Sequence, residues 1–230
     1  MASSEQQSAA PTATAGAAIY VWDLPTRLFH WLTVGLVTTS FVTGEMGGNW
    51  MVLHMRCGYT LLTLLLFRLV WGFAGGQHAR FAAFVRGPAA VWRYATSLLR
   101  HDASRYLGHN PMGGWSVLAM LAALLLQATT GLFANDDIFT EGPLYPLVSK
   151  ATSDFLTGVH LVNQGLILAL IGLHLGAVLF YWVVKRDNLI LPMVTGRKSW
   201  PVAAPASANP VGRALVILIV VGGAVFWLVH

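Results

Sequence analysis

The sequence predicts an all-α integral membrane protein with five membrane-spanning helices. Of its 230 residues, 56% are hydrophobic and 10% are charged, where a soluble domain carries about 25% charged residues. Mean hydropathy is +0.62. Five apolar runs, 28–46, 54–74, 114–134, 157–184 and 211–229, each approach the ~20 residues a helix needs to cross a bilayer. The charge of the connecting segments alternates in sign from one run to the next.

The first run is the least uniform, with Thr33, Thr38, Thr39, Ser40 and Thr43, and the fourth is long enough to tilt or project. Residues 1–19 are small and polar and lack the charged start and apolar core of a signal peptide, so they read as a flexible tail. The single cysteine, Cys57, allows no internal disulfide and no Cys-x-x-Cys-His haem attachment. Net charge is +5, but the arginines lie between apolar spans, so topology accounts for them and nucleic acid is not an expected partner.

The loops set an orientation. Between spans two and three lie Arg80, Arg86, Arg93, Arg100 and Arg105 against Asp102 alone. Between spans four and five lie Lys185, Arg186, Arg197, Lys198 and Arg213 against Asp187. The segment between spans three and four has Asp136, Asp137, Glu141 and Asp154 against Lys150, and Glu45 is the one acid after span one. By the positive-inside rule the N-terminus and the basic loops are cytoplasmic and the acidic loops lie outside. Residues 86–100 mix arginines with Trp92, Tyr94 and leucines, which suits either an interfacial helix or an ordinary connector.

The histidines fall at matched depths. His160 and His174 share span four, fourteen residues apart, which at 100° per residue brings them within about 40° of one helix face and roughly 21 Å apart along the axis. Given the topology, His160 is outer and His174 inner, His30 lies at the inner end of span one and His54 at the outer start of span two. The pairs are His30 with His174, and His54 with His160. Polar groups within spans need partners. Zinc would want about four ligands at one locus, whereas two imidazoles on opposite faces of a planar ring suit haem. With both axial positions filled, the expected chemistry is outer-sphere electron transfer.

Other residues fit around these pairs. Haem propionates call for arginine: Arg27 precedes His30 by one turn, Arg56 lies beside His54, and Arg68 sits fourteen residues after His54 at inner depth. Gly58, four residues after His54, suits either the close approach of a porphyrin or tight helix packing. Gly158, Gly165 and Gly172 lie away from the span-four histidines and read as packing residues. His78, His101, His109 and His230 read as surface residues, so replacing His109 should leave haem content unchanged. Gln127, Thr129 and Thr130 read as helix-to-helix hydrogen bonders before a quinone site.

The run Val21-Trp22-Asp23-Leu24-Pro25-Thr26-Arg27-Leu28-Phe29-His30-Trp31 resembles the opening of bacterial cytochrome b561-type proteins and of the b-type cytochrome subunits of nickel–iron hydrogenases. So do His54 with Gly58-Tyr59, Arg68, Trp71-Gly72, Gly108-His109-Asn110-Pro111 and Thr130-Gly131-Leu132-Phe133. The resemblance covers roughly 20–186. It implies a four-helix transmembrane bundle with two b haems, in the inner membrane of a bacterium, exchanging electrons between the quinone pool and a periplasmic partner. Its ligands map to His30 and His174 for the inner iron and His54 and His160 for the outer. Residues 187–210 then read as a cytoplasmic linker and 211–230 as a fifth, peripheral transmembrane helix.

The leading expectation is an electron-transfer subunit with haem b, linking ubiquinone to a c-type cytochrome, a hydrogenase or another dehydrogenase. The acidic 135–156 segment is either a docking surface or a solvated loop. A stand-alone superoxide:ubiquinone oxidoreductase ranks lower, because only Arg56 and Lys150 offer outer positive charge. A non-redox transporter or membrane scaffold would lack haem altogether. Association with further copies of the chain is left open.

Overall fold

The computed structural model describes residues 17–100, 104–201 and 206–230, so His101 and most of the expected 1–19 tail lie outside the described residues. The chain runs through β1 (Ala17–Tyr20), α1 (Leu24–Met46), α2 (Met51–Ala74), α3 (Phe81–Phe84), α4 (Pro88–Leu99) and α5 (Pro111–Gly131). It continues through α6 (Lys150–Val183), α7 (Ile190–Thr195), β2 (Arg197–Trp200) and α8 (Val211–Val229).

Three long helices start where a side chain satisfies an orphan backbone N–H. Asp23 accepts from the Thr26 N–H ahead of α1, Asn110 from Gly113 ahead of α5, and Ser149 from Thr152 ahead of α6. Pro25 and Pro111 occupy first turns, where the missing N–H costs nothing. The link from α1 to α2 turns on Gly47 and Gly48, at φ of 58° and 53°, a region that disfavours a Cβ.

Four helical stretches, Gly48–Ala74, Pro111–Gly131, Lys150–Val183 and Val211–Val229, are long and apolar enough to cross a membrane. α1, expected as the first span, has 23 residues but is less apolar. Its threonines turn inward on their own helix: Thr38 donates to Val34 O, Thr39 to Gly35 O and Thr43 to Thr39 O, at 2.9, 2.9 and 2.7 Å. Such self-satisfied hydroxyls make the helix more compatible with an apolar medium than hydropathy alone conveys. α6 has 34 residues, about 51 Å of helix against a hydrocarbon core of ~30 Å. It begins seven residues before the apolar run, in a polar first turn braced by the Lys150–Asp154 pair at 2.8 Å.

α1, α2, α5 and α6 form the bundle. Their common core joins Val37, Leu61, Leu65, Leu124 and Ile167. α8 lies outside those four, against α2, with Val225 packed on Leu62 and Leu132. Arg213 of α8 donates to Ala74 O at 2.8 Å. That placement is the peripheral one expected of the fifth helix.

Residues 187–210 hold more structure than a linker. β2 pairs antiparallel with β1, Ala17 opposite Trp200 and Tyr20 opposite Arg197, so the boundary expected at 19 falls inside a strand. Ser207 N donates to Tyr20 O at 2.7 Å and Leu24 N to Asn209 Oδ1 at 2.9 Å. Lys198, itself buried, donates to Asp187 at 2.9 Å. Together these bonds strap the segment across the start of α1.

Candidate haem sites

Two imidazole pairs stand at opposite ends of the four-helix core. His54 of α2 and His160 of α6 have ring centres 6.2 Å apart, with their planes at 71°. His30 of α1 and His174 of α6 have centres 6.4 Å apart, at 52°. Ile167, midway between the two α6 histidines, is buried in the core cluster, so packed hydrocarbon separates the pairs.

The separations fit one metal ion between each pair. A metal–imidazole bond of about 2 Å, plus roughly 1.1 Å from nitrogen to ring centre, doubled, gives about 6.2 Å. Among the described residues no group of three or more His, Cys, Asp or Glu could hold a metal. Two imidazoles per site would therefore suit a metal whose other ligands arrive with it, as in haem.

The pair at the acidic end is oriented by backbone. His54 Nδ1 lies 2.8 Å from Ser40 O, and His160 Nδ1 lies 2.9 Å from Gln127 O. A carbonyl only accepts, so each Nδ1 carries the proton and each Nε2 keeps its lone pair for a metal. Thr130 Oγ1, at 3.2 Å, adds a second contact to His160 Nδ1.

Each ring also lies against a glycine four residues beyond its carbonyl partner. A Cβ on Gly44 would stand 3.1 Å from His54 Nδ1, and one on Gly131 would stand 3.0 Å from His160 Cε1. The two rings are thus seated by the same device on different helices. Sequence reasoning missed Gly44, and it named Gly131 only within a family motif, without this role.

It also missed Asn163, a polar residue inside the α6 apolar run. Its Nδ2 donates to Ala123 O at 2.9 Å and to Gln127 Oε1 at 2.7 Å, tying α6 to α5 beside His160. Gln127 and Thr130 are therefore engaged between helices, as expected.

The remaining candidates divide. Arg68 is 3% exposed at the basic end, its Nη2 donating to Ala79 O at 3.0 Å and its guanidinium over the Phe81 ring. Arg27 instead uses Nη1 on Val194 O of α7. Arg56 is exposed beside His54. A Cβ at Gly58 would meet nothing within 4 Å, so tight helix packing does not explain that glycine. The same holds for Gly158, Gly165 and Gly172, which corrects their reading as packing residues.

His109 and His78 are corrected too. His109 lies between Trp22 and Phe84, at ring separations of 4.8 and 4.7 Å. Burial, then the charge of Arg68, pushes it down to about 3, and burial lowers His78 as well. Neither is a solvated surface residue. His230 does end the chain exposed, its Nδ1 on Phe226 O.

An apolar helical bundle with two depth-separated histidine pairs defines a membrane protein of the b-type cytochrome class. The prokaryotic cytochrome b561 family model matches residues 21–196, and the chain belongs to that family. Its relatives include proteins named probable Ni/Fe-hydrogenase B-type cytochrome subunits. The one from Rhizobium leguminosarum bv. viciae is 24% identical over 216 residues, covering 78% of this chain and 88% of that protein. That of Cupriavidus necator is 26% identical, covering 80% and 88%. The hydrogenase 1 subunit of Escherichia coli K12 is 23% identical, covering 78% and 90%.

Proposed function

We propose that the chain is a dihaem cytochrome b of the bacterial inner membrane, passing electrons between the quinone pool and a periplasmic redox protein. His30 and His174 hold the haem nearer the cytoplasm, His54 and His160 the one nearer the periplasm. The observation that carries this reading is the pair of ring separations, 6.4 and 6.2 Å, each suited to one bis-imidazole iron. A haem held by both histidines of a pair would supply outer-sphere one-electron transfer. The protein's own part is to hold Nδ1 protonated at His54 and His160 and to exclude water around Ile167.

The names of the relatives favour a nickel–iron hydrogenase as the partner. The acidic segment fits the periplasmic side by the positive-inside rule, which also leaves the N-terminus cytoplasmic. That segment is well braced for docking: Asp136 accepts from the backbone of Ile138, Phe139 and Thr140, which holds its carboxyl well below the usual range. Phe139 at its tip is 95% exposed.

Haem content tests the assignment. The purified chain should hold two haems by pyridine haemochromogen assay, and His174→Ala should hold one that remains reducible from the periplasmic side. A wild-type chain without a Soret band would sink the redox reading. Two retained haems in His174→Ala, or loss of both with helicity intact, would sink the two-pair assignment.

A further inference from the structure

Among the polar atoms at the basic end that are sealed from solvent and bonded to nothing are Arg68 Nη1, His78 Nε2 and His109 Nδ1. They share one neighbourhood. Arg68 reaches Ala79 O, the residue after His78, and a Cβ on Gly108 would lie 3.5 Å from His78 Nδ1. Arg68 lies over the Phe81 ring, Phe81 meets Phe84 edge-on, and Phe84 packs on His109, while Phe29, next to His30, packs against the cluster that holds Trp71 and Ala79, which brings the group to the His30–His174 end.

The acids at this end are already engaged. Asp23 accepts from Thr26 N, Trp71 Nε1 and Gly76 N. Asp187 is paired with Lys198 and Arg105. Among the described residues Arg68 has no ion pair, although it is buried. Buried donors without acceptors are rare in native proteins and ask for a partner from outside the chain. A guanidinium with imidazoles beside it matches a carboxylate, which accepts through two oxygens.

We propose that Arg68, His78 and His109 form a carboxylate cradle for the propionates of the haem held by His30 and His174. The proposal rests on the two-haem reading and extends it to two histidines outside the ligand set. It also gives Arg68 a direct ion-pair partner. A cation beside the haem disfavours the ferric state, so removing it lowers the midpoint potential of that haem alone.

The test uses the full chain purified with its haems. In Arg68→Gln the midpoint of the inner haem should fall while that of the outer haem stays. Protein stripped of haem and reloaded with haem dimethyl ester, whose propionates are blocked, should bind it at least tenfold more weakly at the inner site. That penalty should shrink in Arg68→Gln and in His78→Gln/His109→Gln, the second variant serving if the first does not fold. Unshifted midpoints with two haems present would overturn the cradle, as would an ester penalty equal in wild type and both variants. The latter result would point to a lipid phosphate as the occupant. Fewer than two haems in the wild type would instead defeat the underlying reading.

Discussion

Gly131→Val is expected to strip the outer haem from the chain, although residue 131 binds nothing itself. The new Cβ would stand 3.0 Å from His160 Cε1 and 3.4 Å from Nδ1, closer than carbon and a ring atom settle at rest. The ring has little room to yield, because Nδ1 is bonded to Gln127 O at 2.9 Å and contacts Thr130 at 3.2 Å. Pushing it aside breaks the bond that fixes its tautomer and misplaces Nε2. A tenfold loss of haem affinity needs only about 1.4 kcal/mol, and displacing the His160 ring should cost more than that. Gly44→Val should do the same through His54, whose Nδ1 would be 3.1 Å from the added Cβ. Gly35→Val is the control, since nothing lies within 4 Å there. Haem per chain should read one, one and two. Two haems with unchanged spectra in all three would show that these glycines do not seat the ligands.

The histidine pairs were legible because periodicity within one helix and the charge of its flanking loops are properties of sequence alone. His160 and His174 share a face by spacing, and topology assigned their depths. The carbonyls of Ser40 and Gln127, the glycines four residues beyond them, and Asn163 belong to contacts between helices. No spacing along one segment encodes which neighbour it meets. His109 misled for a related reason. A histidine in a basic loop reads as a surface residue, and only the packing of Trp22 and Phe84 on either side half-buries the ring. The seven-residue glycine stripe in α6 misled in the other direction, since regular spacing suggests packing where the structure offers no neighbour. Hydropathy likewise saw the apolar body of α6 but not its polar first turn, which a Ser149 cap and a lysine–aspartate pair stabilise.

Asp23→Ala is expected to destabilise the fold by about 3–5 kcal/mol, since removing an acceptor leaves each buried donor at a cost of about 1–3 kcal/mol. Asp23 is 1% exposed and accepts three bonds, from Thr26 N at 2.8 Å, Gly76 N at 3.0 Å and Trp71 Nε1 at 3.3 Å. The first caps α1. The other two pin that helix start to the end of α2, which carries Arg68 on the preceding turn. Loss of the carboxylate therefore loosens His30 and Arg68 against each other, and the inner haem should dissociate before the outer one. At 2–4 °C per kcal/mol for a chain of this size, the melting point should fall by roughly 10 °C. Asp23→Asn keeps one acceptor oxygen and should land between wild type and Ala, while Trp71→Phe removes the longest bond together with part of a fully buried ring and should cost about 2–3 kcal/mol. Thermal melts followed by helicity and by Soret absorbance distinguish the two effects. Were Asp23→Ala to melt with wild type and keep both haems, Gly76 and Trp71 would have found water in place of the carboxylate. The basic end would then be held by the β1–β2 strap instead.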